Sequence, residues 1–289
     1  MLVRVVVGIV AALFAIGLLT LIGNGYGAFV SIVVALFSSI CVYEIMDVSK
    51  CKNKALTVVN MVFAACLPLY IGFDLGRFIP VSAGITAAIY IFIVMIMMLA
   101  SYEKTKFENV TNGLYASIII PAALSTLMLT IQYMEGMPEL FTRSNIIFVL
   151  LTAMYCAWLS DTFALFTGMA LGKHKLAPNI SPKKTVEGAV GGVVFTTISS
   201  LITWFIFHKW FFRLDTIKWW MVLVFVPIIC VMGMCGDLCA SVLKRNYGVK
   251  DYGTMFPGHG GAMDRIDSFI FTMPSAYVIL RLVTEICAA

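Results

Sequence analysis

A chain of 289 residues with 61% hydrophobic and only 12% charged positions and a mean hydropathy of +0.97 lies far from the roughly 25% charge of soluble domains, which excludes a water-soluble fold. The formal net charge is +5, and no nucleic acid partner is expected. The eight cysteines fall mostly inside apolar runs, where they behave as small hydrophobes and imply no disulfide framework.

The apolar runs are continuous and do not alternate, so they predict helices and not barrel strands. Taken in chain order they cover about 3–22, 28–48, 55–73, 79–100, 111–133, 146–170, 188–208, 217–240 and 267–287. At about 20 apolar residues per crossing these are nine candidate spans, and the predicted fold class is all-α, a polytopic membrane protein. The first run follows Arg4 as a signal peptide would, but it is longer than a signal core and no polar cleavage zone follows it. It is read as a retained span. The expected organisation is an N-terminal region of about five spans at 1–145 and a catalytic region at 146–289, whose cytoplasmic loops are 171–187 and 241–266.

Charge sorts the linkers. With the N-terminus inside, the cytoplasmic segments hold 14 of the 20 Lys and Arg, which predicts an inward N-terminus and an outward C-terminus. Lys209, Arg213 and Lys218 run against this pattern. The two longest inner loops are also the richest in Gly, Pro, Lys and acidic residues, so chemistry is sought there.

Glu44 and Asp47, near the inner end of the second span, either pair with Lys50 or Lys54 or serve the site. Asp161 interrupts the sixth span and must face protein, water or a cation, because a carboxylate in hydrocarbon is costly. The loop that follows contains Ser181-Pro182-Lys183-Lys184-Thr185-Val186-Glu187 before a span that begins with small residues. Ser181 as N-cap with Pro182 at the first helical position would aim free amides and the positive dipole end at a polyphosphate; a plain charged anchor is the alternative. His174 is read as a solvated loop residue. A Walker A loop is excluded because Gly168 to Lys173 is one residue short and His174 stands where Ser or Thr is needed.

Gly236 and Asp237 fall near the inner end of the eighth span, where Asp237 either ligates a metal or pairs with Lys244 or Arg245. Between Ala240 and Ser268 the chain gathers four cations, three acids, His259 and five glycines. Gly258, Gly260 and Gly261 let backbone amides approach an anion. Lys244, Arg245, Lys250 and Arg265 can bind phosphate oxygens. Asp264 and Asp267, three apart, are expected to share a helix face. If Asp237 and Asp264 converge, they could hold Mg²⁺, which takes one or two carboxylates completed by water and substrate phosphates.

The run Ser241, Lys244-Arg245, Lys250-Asp251, Gly253, Phe256-Pro257, His259-Gly260-Gly261, Asp264-Arg265 and Asp267 closely resembles the signature of the phosphatidate cytidylyltransferase family, the CDP-diacylglycerol synthases. Ser181 to Gly188, Gly236-Asp237 and Asp161 follow the same family's order. The resemblance covers about 130 residues strongly; the first spans match only as generic membrane helices. Ala262 is smaller than the aliphatic residue usual after His-Gly-Gly, and Leu165 and Met169 stand where the family shows an aromatic and an arginine.

The resemblance implies transfer of CMP from CTP to phosphatidic acid, releasing pyrophosphate, among membrane lipids at the cytoplasmic interface. It implies Asp237 and Asp264 as Mg²⁺ ligands, with a second, monovalent cation left open. Catalytic roles fall to Asp237, Asp264, Arg265, Lys244 and His259. Substrate contacts fall to Ser181, Lys183, Lys184, Thr185, Arg245, Lys250, Gly260 and Gly261, with Asp161, Asp251 and Asp267 holding the cations in place or completing a metal shell. A bacterial cytoplasmic membrane is expected from the compact length, and a homodimer is left open. The competing readings are a transporter or channel, and a related lipid-phosphate or polyprenol transferase or kinase. An alcohol phosphotransferase would need a D-G-x-x-A-R run, which does not occur.

Overall fold

The nine apolar segments fall on helices, apart from 79–81, which lie outside the described residues, in the computed structural model, which describes the backbone of residues 2–78, 82–211, 214, 216–256, 258 and 260–288. The helices are α1 (Leu2–Gly23), α2 (Gly27–Val48), α3 (Lys54–Gly72), α4 (Ala83–Ala100), α5 (Phe107–Glu135), α6 (Arg143–Met154), α7 (Ser160–Leu171), α8 (Val186–Ile206), α9 (Trp219–Asn246), α10 (Met263–Ile266) and α11 (Phe269–Ala288). The protein is an all-α polytopic integral membrane protein. Seven stretches are long and apolar enough to cross a bilayer, α6 and α7 forming one of them together; the described apolar parts of α1 and α4, Leu13–Gly23 and Gly84–Ala100, are shorter.

Many large apolar side chains point outward, among them Phe92, Ile96 and Leu99 on α4 and Leu165, Phe166 and Met169 on α7. Such surfaces suit lipid, as expected for helices that are hydrophobic all round.

The chain divides into two compact units, one of Met1–Met128 with Tyr247–Arg265, the other of Leu129–Asn246 with Ile266–Ala289. The first unit is organised around polar groups paired inside an apolar interior. Buried Asn60 on α3 accepts from the Tyr90 hydroxyl of α4 at 2.7 Å, and that hydroxyl lies 2.5 Å from Ser117 Oγ of α5. Pairing is required there, because no water is present in hydrocarbon to satisfy an orphaned amide. Asn53 caps α3 by accepting from the Leu56 amide and donates to Ser101 and Thr105, fixing the connection between α4 and α5.

The second unit is set by small residues. A Cβ at Gly192 of α8 would lie 2.7 Å from the Ser160 carbonyl oxygen, and one at Gly188 would lie 2.6 Å from that of Ala164. Only glycines let α8 approach α7 this closely, the familiar use of small residues four apart in membrane helices. On α9, Gly233 and Gly236 do the same against Thr272 and Phe271 of α11. Between α7 and α8 the chain forms an antiparallel hairpin, β1 (Lys175–Ala177) and β2 (Ser181–Thr185), with Lys175 opposite Thr185 and Ala177 opposite Ser181.

The hairpin corrects the expected start of α8. Ser181 is not the N-cap and Pro182 is not the first helical residue; both belong to β2, and the helix begins at Val186. Pro182, which has no amide to donate, is tolerated on an edge strand. Thr185 is the cap, its Oγ1 accepting from the Gly188 amide at 3.1 Å. Thr185→Ala should therefore cost about 1 kcal/mol, read as a lowered melting temperature of the detergent-solubilised protein with the helix content unchanged.

Candidate active site

The sixth span does not run as one regular helix. Between α6 and α7 it passes through a π-helical turn, Tyr155–Leu159, closed by a 2.6 Å bond from Ser160 Oγ to the Cys156 carbonyl. Such turns mark functional sites in many helices, because the extra residue re-aims the side chains beyond it. Asp161 lies in the first turn after it.

β2 then separates two neighbouring lysines. Successive strand residues point to opposite sides, so Lys183 stays exposed while Lys184 turns inward, its side chain 25% accessible. Lys184 Nζ pairs with Asp237 Oδ2 of α9 and lies 3.7 Å from Asp161 Oδ1 of α7. Asp237, for which the sequence left metal ligation or a pairing with Lys244 or Arg245 open, is met by Lys184, brought to it by the hairpin. Burial alone would push the Lys184 ammonium down, but the Asp161 and Asp237 carboxylates, with a contribution from Asp267, override it and raise it. The group stays charged throughout the physiological range.

Asp267 and Lys244 complete the group. The Asp267 carboxylate feels Asp237, Lys244 and Asp161 electrostatically and accepts from the Ser268 amide at 2.8 Å. Lys244, in the last turn of α9, is buried. Three carboxyl groups and two ammoniums thus share this region. Arg245 Nε donates to the Ile180 carbonyl at 3.2 Å, tying the end of α9 to the hairpin turn. Glu187 anchors the hairpin base by accepting from the Lys173 and His174 amides and pairing with His174 Nδ1 at 2.6 Å, so His174 is exposed yet partnered.

Within the other unit, the segment Tyr247–Arg265 is shaped by two carboxylates. Asp264 Oδ2 accepts from the Tyr252 amide at 2.8 Å and the Gly261 amide at 3.0 Å. Glu44 Oε1 accepts from the Ala262 amide and Oε2 from the Met263 amide, both at 2.8 Å. Glu44 is therefore the partner of neither Lys50 nor Lys54, correcting that expectation. The Phe256 amide donates to the Gly260 carbonyl at 2.9 Å, and Gly258 and Gly260 take the left-handed φ values of +77° and +81° that this tight turn requires. Lys250, Asp251 and Arg265 are exposed, and Ala262 is fully buried, so the departure there falls on a packing position. Pro257 and His259 of the signature, like Arg213, lie outside the described residues.

Asp264 and Asp267 do not share one continuous helix face. α10 ends at Ile266, Asp267 occupies the following turn, and α11 begins at Phe269. Asp237 and Asp264 belong to different units, each engaged within its own. Among the described residues no three of His, Cys, Asp and Glu gather tightly enough to hold a metal ion. The donor chemistry at Asp161 and Asp237 nevertheless fits Mg²⁺: two carboxylates already converge on one cation, the Lys184 ammonium, and Mg²⁺ draws its remaining ligands from water and phosphate.

A family model described as the cytidylyltransferase family matches residues 2–283. The chain belongs to that family. Phosphatidate cytidylyltransferases of Staphylococcus saprophyticus, Staphylococcus haemolyticus and Staphylococcus aureus are 44%, 42% and 41% identical to it over 139 residues. That stretch is 48% of this chain, and the match spans about half the length of those relatives, 51% of each. The family match also covers the N-terminal helices, which sequence patterns left generic. Two residues that the sequence noted without fixing their partners are placed by the structure: Glu44, whose amide partners lie more than two hundred positions away, and Glu187, which holds the hairpin base.

Proposed function

We propose that this protein is a phosphatidate cytidylyltransferase, joining CTP to phosphatidic acid to give CDP-diacylglycerol and pyrophosphate. The observation that carries the reading is the Asp161–Lys184–Asp237 group, a cation held between two acids beside Asp267 and Lys244. The names of the staphylococcal relatives support the choice of substrates.

In this reaction an oxygen of the lipid phosphate attacks the α-phosphorus of CTP, and the bond from that phosphorus to the departing pyrophosphate breaks. The attacking phosphate is already ionised near neutral pH, so catalysis rests on positioning and charge neutralisation more than on proton removal. Lys184 and Lys244 supply fixed positive charge, and Lys183, Lys250, Arg245 and Arg265 bind phosphate oxygens. Mg²⁺, held by Asp237 with Asp161, would neutralise the triphosphate and favour pyrophosphate departure. The resemblance names Asp264 beside Asp237 for this role. A monovalent cation and a homodimer stay within the proposal, as do an inward N-terminus, a bacterial cytoplasmic membrane and a site at its cytoplasmic face. Positive charge on the inner loops and the bacterial relatives support the last three.

The test measures pyrophosphate release by the purified protein in vesicles with CTP and Mg²⁺. Release that requires phosphatidic acid is expected; release that requires a polyprenyl phosphate instead, or none with either lipid, contradicts the assignment. Asp264 is examined in the same assay. Asp264→Asn keeps an oxygen for the Tyr252 and Gly261 amides but removes the charge, so activity should fall by about 10²-fold or more with the melting temperature nearly kept, whereas Asp264→Ala should lose both. Normal turnover by Asp264→Asn removes it from the metal site.

A further inference from the structure

We propose that Glu44 is the positioning residue of the glycine loop at 252–263, acting through the loop backbone and touching no substrate. The proposal rests on the cytidylyltransferase reading for the loop's purpose, but its geometry stands alone. Glu44 lies one turn before the end of α2 and is 5% exposed. Each of its carboxylate oxygens accepts one amide at 2.8 Å, from the two consecutive residues Ala262 and Met263. Charge-assisted bonds of this kind are about twice as strong as neutral ones.

The loop is also built around the carboxylate. A Cβ at Gly253 would lie 2.6 Å from Glu44 Oε1, and a Cβ at Gly261 would overlap the carboxylate group. Two of the loop's glycines are thus required by the space Glu44 occupies, and not by their backbone angles, since neither has a positive φ. Asp264 grips the same loop from its own side through Tyr252 and Gly261. Two buried carboxylates therefore define the path of a segment that carries Lys250, Asp251, Gly260 and Arg265 on or beside it.

A carboxylate holding two parallel amides cannot be replaced by its amide without cost. In Glu44→Gln the side-chain NH₂ faces a backbone N–H, so one bond becomes a donor against a donor. Aspartate is one methylene short, so Glu44→Asp should recover little. Gly253→Ala and Gly261→Ala leave Glu44 in place but push it off the amides, and they should reproduce its loss.

The experiment pairs amide hydrogen exchange with kinetics on the full chain in detergent or vesicles. In Glu44→Gln, exchange across 252–263 should rise by roughly 10- to 100-fold, while α3 to α5 keep their protection. kcat with CTP should fall by about 10²-fold, with KM for phosphatidic acid within about twofold, because the loss is one of alignment. Glu44→Gln combined with Gly253→Ala should be no worse than the poorer single variant, since both break the same contact. Unchanged loop exchange, or fully multiplicative losses in the double variant, would overturn the proposal. A wild-type chain inactive on CTP would refute the functional reading, and the exchange result would still decide the role of Glu44.

Discussion

Asp237→Asn should lower kcat by about 10²- to 10³-fold, the usual loss when one preorganised electrostatic group is removed from a phosphoryl- or acyl-transfer site. The change keeps the size of the side chain and removes the charge that faces Lys184. The ammonium is not stranded, because Asp161 Oδ1 remains 3.7 Å away. The fold should therefore survive, and the melting temperature should move by only a few degrees while turnover collapses. A variant that keeps turnover, or one that loses activity only by unfolding, would show that the carboxylate has no part in the chemistry. Raising Mg²⁺ should recover part of the lost rate if Asp161 still holds the ion more weakly.

Gly192→Val should produce a comparable loss from a position that carries no charge and reaches no substrate. Its first side-chain atom would meet the Ser160 carbonyl at 2.7 Å, a backbone atom that cannot rotate aside. Forcing atoms into such a contact costs about 1–3 kcal/mol, and here α8 must shift away from α7. Lys184 is carried by the strand that leads into α8, and Asp161 by α7, so the shift separates the pair directly. A displacement of about 1 Å at a catalytic group can cost about 10²-fold in rate. Rates and melting temperature measured side by side should show both falling. Gly84→Ala is the control, because its new atom would meet nothing nearer than 3.9 Å and should leave both unchanged.

What could be read from the sequence divides along physical lines. Hydropathy is local, so the apolar segments emerged to within a few residues; the run read as 146–170 is the helical stretch Arg143–Leu171. The π turn inside it left no trace, because it changes the hydrogen-bond register and not the composition. The strand at Ser181–Thr185 was also hidden. Ser-Pro ahead of an apolar run is a sound helix start, and only the pairing of Thr185 with Lys175 makes it a hairpin. That pairing decides which of Lys183 and Lys184 turns toward Asp237, a distinction no spacing rule supplies.

The acids of the site were visible for the opposite reason. A carboxylate in an apolar run is costly enough to need an explanation, which drew attention to Asp161, Asp237 and Glu44 alike. Their partners were not visible, since Lys184 is more than fifty positions from Asp237 and the Ala262 amide more than two hundred from Glu44. The exposed Lys250 and Arg265 looked the same in sequence as the buried Lys244. Burial is a property of the assembled helices.

The central claim is that CMP passes from CTP to a lipid phosphate, and the position of a label tests it most directly. The purified chain is given phosphatidic acid, Mg²⁺ and CTP labelled at either the α- or the γ-phosphate. The α-label should appear in the lipid fraction and the γ-label only in pyrophosphate. Transfer of the γ-label to lipid would mean a kinase, and label in neither product would contradict the account altogether.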